Sequence, residues 1–196
     1  MPGSNPATST AAGDIRFKDL NSDGIINDKD RTYLGNPNPD FAFSLNNTFS
    51  YKNFDLSIFF QGVFGNEIYN ANRMYTESMS VVNNQTTQTL GRWNGPGTSN
   101  SMPRAVYGDP NANARVSDRF VEDGSYLKLK NINLGYTFPS DSFNNLFSSA
   151  RIYVSAQNLF TITDYKGFDP EVNVNGIDNN VYPVTRIFSV GLNVAF

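Results

Sequence analysis

The chain has 196 residues, and its 15 lysines and arginines against 18 aspartates and glutamates give a net charge of −3. This small acidic excess argues against nucleic-acid binding through a basic patch. The sequence contains no cysteine and no histidine, which excludes disulfides, thiolate or imidazole metal sites, Cys nucleophiles and Ser-His-Asp triads. We therefore expect a protein that is not an enzyme.

The start of the chain is small and polar. Residues 1–12 include two prolines and predict a flexible or cut start, ahead of a structured region at 13–196. They lack the basic residues and the apolar run of a signal peptide. The sequence also has no run of about 18 apolar residues, so it predicts no transmembrane helix. Membrane-crossing β-strands stay possible, because such strands alternate and never form a continuous apolar run.

A β-hairpin is the first strong pattern, in residues 41–64. Phe, Leu and Tyr alternate with polar residues over 41–51, and Lys52-Asn53 supplies a short polar turn. The alternation then returns over 54–64, with one strongly apolar face. These features predict two long antiparallel strands. We also expect a short strand before them, at 14–18.

Two long connections separate the remaining strands. Residues 65–121 show no strand period and predict a functional loop with one helix around 70–90. Alternation resumes near Tyr126, and strands are expected to about 138, from about 150 to 163 and from about 187 to 196. A second long polar loop covers about 165–184. The sequence therefore predicts an all-β, antiparallel fold of five to six strands.

Two architectures fit this pattern. In a soluble calcium-stabilised carbohydrate-binding or adhesion β-sandwich, the apolar face is the core. In a transmembrane β-barrel segment, the apolar face contacts lipid and the polar face lines a wet lumen. Long strands, aromatics near the strand ends, and short turns alternating with long extracellular loops all favour the barrel. Six strands cannot close a membrane barrel, so that interpretation requires further strands.

Four motifs carry a family resemblance. They are residues 13–27 (GDIRFKDLNSDGIIN), 31–39 (RTYLGNPNP), 119–131 (RFVEDGSYLKLKN) and 156–165 (AQNLFTITDY). With the apolar alternation that ends at Phe196, they resemble the carboxyl-terminal portion of SusC/RagA-type TonB-dependent outer-membrane transporters of the Bacteroidetes. The resemblance covers the chain from about residue 13.

The resemblance implies a 22-stranded barrel in the outer membrane of a Gram-negative bacterium, with an amino-terminal plug domain. It implies a SusD-like surface lipoprotein over the extracellular mouth. It further implies import of oligosaccharides or peptides, driven by TonB through a region missing from this sequence. The expected partners are thus the rest of the barrel and plug, the lipoprotein, TonB, the cargo and outer-membrane lipid.

One motif has the spacing of a metal site. Residues 19–30 place oxygen side chains at loop positions 1, 3, 5, 9 and 12, with Gly24 at the turn position 6. The candidate ligands of a structural Ca²⁺ are Asp19, Asn21, Asp23, the Ile25 carbonyl, Asn27 and Asp30. Asp at position 12 in place of Glu should weaken the site. The alternative is a metal-free loop whose side chains cap its own backbone.

Other candidates are weaker. Four residues of the 65–121 connection are candidates for contact with a sugar or with the lipoprotein: Tyr69, Tyr75, Arg92 and Trp93. The alternative is that they pack the loop onto the barrel rim. Three carboxylates, Asp164, Asp169 and Glu171, lack the spacing of a glycosidase pair.

Overall fold

The computed structural model describes residues 10–139, 142–143, 146–172 and 174–196. In these ranges the chain forms eight β-strands and one short α-helix. The elements are β1 (Phe41–Tyr51), β2 (Phe54–Phe64), β3 (Glu67–Asn70), α1 (Ala71–Thr76), β4 (Val121–Asp123), β5 (Tyr126–Thr137), β6 (Ser149–Thr163), β7 (Ile177–Asp178) and β8 (Ile187–Ala195). Short 3-10 turns lie at Asp28–Asp30, Thr87–Gly91 and Asp118–Phe120. None of the helices in the described ranges has the length and apolar character needed to cross a membrane.

The predicted hairpin is confirmed. β1 and β2 pair residue for residue, from Phe41 opposite Phe64 to Tyr51 opposite Phe54. Lys52 takes a left-handed conformation, with φ of 52°, so the two-residue turn reverses the chain without loosening the ladder. Long apolar alternation and a tight turn together fix this register.

The five long strands form one sheet in the order β1-β2-β5-β6-β8, and every neighbouring pair is antiparallel. Each strand thus lies beside the next long strand in the chain. The register shifts between Phe59 and Phe60 of β2 and between Leu129 and Asn131 of β5. These bulges add local twist, which helps a sheet to curve.

The two faces of the sheet differ in chemistry. One cross-strand row reads Leu56, Leu134, Val154, Val190, and the adjacent row on the other face reads Ser57, Asn133, Ser155, Ser189. The apolar row is open to the surroundings: Val154 is 47% and Val190 75% exposed. In a sandwich this face would be the buried core. The exposure is that expected of a lipid-facing surface, and the five long strands form the all-antiparallel sheet predicted for the barrel segment.

Aromatic rings gather at both ends of the apolar face. Phe41, Phe43 and Phe64 stack at one end, with centroids 5.2–6.5 Å apart. At the other end, contacts with centroids 4.8–5.7 Å apart link consecutive rings; the rings are Phe54, Tyr136, Phe138, Phe143, Phe147 and Phe196. Two aromatic bands flanking an apolar strip are typical of membrane interfaces.

Two local predictions were wrong or partly wrong. Residues 14–18 form no strand, because the Ile15 N–H donates to Asn113 Oδ1 and the Ile15 carbonyl accepts from Asn111 Nδ2. Side chains thereby take the backbone groups that a strand partner would need. The helix expected around 70–90 is limited to α1 and the 3-10 turn Thr87–Gly91.

The chain divides into two compact units. Unit 1 contains the described residues of Met1–Gly35, Tyr69–Val121 and Ile177–Asn180, and unit 2 contains Asn36–Ile68, Glu122–Gly176 and Val181–Phe196, with the five-stranded sheet. Within unit 1, Tyr69 and Asn70 pair in parallel with Ile177 and Asp178. Residues 1–9 of the predicted flexible start lie outside the described residues.

Candidate functional site

The polar face of the sheet carries a cluster of charges on β5. Tyr126 and Lys128 project from this face, opposite Val63 and Gln61 of β2. The chain after β6, described at 164–172 and 174–176, folds back over them. We call this segment the β6–β7 loop. It brings Asp169 and Glu171 onto the strand, although more than 40 residues separate each of them from Lys128.

The ion pairs of this cluster are short. Lys128 Nζ lies 2.6 Å from Asp169 Oδ1 and 2.6 Å from Glu171 Oε2. Lys130 Nζ lies 2.8 Å from Glu171 Oε1, and the Tyr126 hydroxyl donates to the same oxygen at 3.2 Å. We refer to these five residues as the lysine clamp. It joins the β6–β7 loop to the polar face by several charge-assisted hydrogen bonds.

The lysine clamp is largely shielded from solvent. Lys128 is 2% exposed and Asp169 is 6% exposed. Burial by itself would raise the pKa of Glu171, but hydrogen bonds from Lys128 and Lys130 outweigh it and lower that pKa below its ordinary value. Glu171 is therefore ionised at neutral pH, and the opposite charges compensate one another. The arrangement holds the β6–β7 loop against the strand.

A second polar contact lies near the opposite end of the same face. Arg151 of β6 donates through Nε to Asp55 Oδ1 at 2.9 Å and through Nη2 to Asn133 Oδ1 at 3.2 Å. Asp55 is the second residue of β2, close to the two-residue turn, and Asn133 lies on β5 between β2 and β6. Charged side chains are thus held near both ends of the polar face. Such a face suits a surface that lines a water-filled lumen.

The predicted contact residues lie in unit 1 and form no single cluster. Tyr69 packs edge-on against Phe120 at 6.3 Å, and burial raises the pKa of its hydroxyl. Tyr75 is 58% exposed. Trp93 lies against Gly13, whose missing side chain leaves room for the indole ring, while Arg92 is exposed.

The predicted calcium loop closes through its own hydrogen bonds. Asp19 accepts from the Ser22 and Gly24 N–H groups at 2.7 and 2.8 Å, and Asp30 accepts from the Leu20 and Asn27 N–H groups at 2.9 and 2.8 Å. The bonds from Asn27 and Leu20 lower the pKa of Asp30.

The remaining candidate ligands of this loop are bonded in the same way. Asp23 Oδ1 accepts from the Ile25 N–H, Asn21 Oδ1 from the Asp23 N–H, and Asn27 Oδ1 from the Lys29 N–H. Among the described residues, no three His, Cys, Asp or Glu side chains converge as metal ligands. Calcium binding by this loop stays a prediction.

Comparison with known proteins gives a consistent answer. No protein-family model matches the chain. It is 37% identical over 206 aligned residues to the TonB-dependent receptor P3 of Formosa agariphila, covering 96% of this chain and 20% of that protein. It is 34% identical to the TonB-dependent receptor SusC of Bacteroides thetaiotaomicron, over 92% of this chain and 17% of SusC.

Solved structures agree with the sequence relatives. The RagAB peptide transporter matches 79% of this chain with a TM-score of 0.67 and 30% identity, over 17% of the matched transporter chain. Over almost its whole length the chain is similar to SusC/RagA-type TonB-dependent transporters. SusC/RagA-type proteins are located in the outer membrane of Gram-negative Bacteroidetes, and the exposed apolar face of the sheet fits that location. The chain spans about a fifth of the length of the curated relatives it matches.

The predicted resemblance is confirmed, but sequence reasoning missed the lysine clamp. In the sequence, Asp164, Asp169 and Glu171 are only carboxylates that lack the spacing of a glycosidase pair. The available signal was Lys128, a cation that alternates with apolar residues on a strand. Such a lysine needs an acidic partner when it is buried.

Proposed function

We propose that this chain forms part of the wall and loops of an outer-membrane importer of oligosaccharides or peptides. TonB drives the import, and a SusD-like lipoprotein covers the extracellular mouth. The exposed apolar face opposite a charged polar face carries this proposal, since a wall between lipid and a wet lumen requires both. The similarity to TonB-dependent receptors and to a peptide transporter supports it.

Purification from the native membrane tests this proposal. Outer membranes are solubilised in detergent, the complex is isolated through a tag on this chain, and every band on a denaturing gel is sequenced. We expect barrel and plug sequence together with a lipoprotein. A single soluble species of about 22 kDa that needs no detergent would contradict the proposal.

We also propose that Ca²⁺ stabilises residues 19–30. Carboxylate, amide and carbonyl oxygens are the donors that Ca²⁺ prefers, and Gly24 has the positive φ, 80°, that the sharp turn of such a loop needs. Isothermal titration of the metal-stripped protein should give a binding heat with Ca²⁺ that Asp23→Ala abolishes and that Asp28→Ala, at a position outside the ligand pattern, retains. Equal heats from the two variants would favour the metal-free loop.

A further inference from the structure

A cleft of about 610 Å³ lies entirely within unit 1. Its apolar wall is formed by Ile15, Phe17 and Ile26, and its charged lining includes Arg16, Lys18 and Arg115. Three cations around one cleft are notable in a chain whose net charge is −3. The combination favours a ligand that has both an apolar surface and a negative charge.

The lining of the cleft carries more positive than negative charge. Its one acidic lining residue, Asp19, already accepts two backbone N–H groups. Across the described ranges, neither Arg16 nor Lys18 lies within ion-pairing distance of a carboxylate. Both are exposed, whereas Ile15 and Phe17, which alternate with them, are half-buried. The segment therefore presents cations to solvent beside an apolar wall.

The cleft is held in shape by buried side chains. Asn111 and Asn113 are 3% and 2% exposed, and they bond the carbonyl and the N–H of Ile15 at 3.0 and 2.9 Å. Arg115 stacks over the Phe17 ring with its guanidinium carbon 4.0 Å from the centroid. Its Nη2 also donates to the Asn111 carbonyl at 2.8 Å. These contacts fix the backbone and the ring that form the apolar wall.

We propose that this cleft binds the anionic group of an acidic oligosaccharide. The C–H face of a sugar ring packs on the apolar wall, and a carboxylate or sulfate substituent pairs with Arg16 and Lys18. A peptide is a poorer fit, because the Asn side chains already occupy the backbone groups of Ile15 to which an extended peptide would add. This assignment narrows the cargo class and so rests on the proposed import function.

Binding to the purified protein in detergent tests the assignment. The probe is tetragalacturonate, and its methyl ester is the uncharged match with the same rings. We expect the acid to bind and the ester to bind at least about fivefold more weakly, with an affinity for the acid that falls as salt is added. Equal binding of acid and ester would overturn the assignment.

Variants locate the binding. Arg16→Gln with Lys18→Gln removes two charges and should weaken tetragalacturonate binding about five- to tenfold, the effect of two exposed ion pairs. Lys29→Gln with Arg31→Gln removes the same charge outside the cleft and should leave binding unchanged. Equal losses in the two double variants, or tetraglutamate binding as tightly as the sugar, would contradict the assignment. The native purification is independent of these titrations, so failure here is distinguishable from failure of the import proposal.

Discussion

Lys128 brings a full positive charge into a site with almost no access to water. The two carboxylates of Asp169 and Glu171 compensate it, each at 2.6 Å. A buried charge that loses its partner is more costly than one that was never buried. The lysine clamp is therefore the point at which a single substitution has the largest effect on the β6–β7 loop.

Lys128→Met should destabilise the protein by about 3–5 kcal/mol, the cost of breaking a buried pair. Asp169 then stays buried without its cation, whereas Glu171 keeps Lys130. Lys130→Met is the matched control, because this lysine is 25% exposed and its loss should cost less. Urea midpoints of the two variants measure the difference, and equal shifts would contradict the ranking.

Acid should release the β6–β7 loop. The ordinary pKa of a glutamate is 4.5, and hydrogen bonds from Lys128 and Lys130 lower that of Glu171 in the folded protein. A group with a lowered folded pKa adds stability above its unfolded pKa and loses it as pH falls through the folded value. Protease cleavage within the loop should therefore rise below about pH 4.5.

Glu171→Gln provides the control for this pH effect. The variant has no carboxylate to protonate at this position, so its cleavage should change less between pH 7 and pH 3.5. A wild-type loop that is equally protected at both values would show that Glu171 does not hold it.

Elements of this protein differ in how well their sequence predicts them. The β1–β2 hairpin is predictable to the residue, because alternation and turn chemistry are local and agree with each other. The segment 14–18 alternates as well, yet Asn111 and Asn113 take its backbone bonds from nearly 100 residues away. The lysine clamp is also non-local. The residue pattern within one segment does not indicate contacts with segments that are distant in the sequence.

The two faces of β8 offer a direct test of the strand assignment. Val190→Arg places a cation on the apolar face and should cost about 2–4 kcal/mol if that residue lies near the bilayer midplane. Ser189→Arg places the same charge one residue earlier on the polar face and should be tolerated. The folded fraction of each variant, read from its heat-modifiable mobility on a gel, measures the difference. Equal folding of both would contradict a lipid-facing surface.

On the scale of the whole molecule, the connections between successive long strands alternate in length: 52–53 and 138–148 are short, whereas 65–125 and 164–186 are long. Outer-membrane barrels place short turns in the periplasm and long loops outside the cell. Lys52, in the turn, and Gln85, in the connection between β2 and β5, are both exposed. They should therefore lie on opposite sides of the membrane.

The absence of cysteine from the chain allows this topology to be tested by labelling. A membrane-impermeant maleimide added to intact cells should label Gln85→Cys. Lys52→Cys should react only after the outer membrane is permeabilised. Labelling of Lys52→Cys in intact cells would contradict this topology and indicate the opposite orientation.

The outer edges of β1 and β8 have no strand neighbour among the described residues, since the sheet order runs from β1 to β8 without closing. Unsatisfied strand edges recruit other strands. If the chain were produced apart from the rest of a barrel, β1 of one copy would meet β8 of the next. Such a head-to-tail contact closes only when the rotation between copies allows it. Unless it does, isolated copies grow into ribbons of indefinite length, and refolding should be attempted at high dilution in detergent.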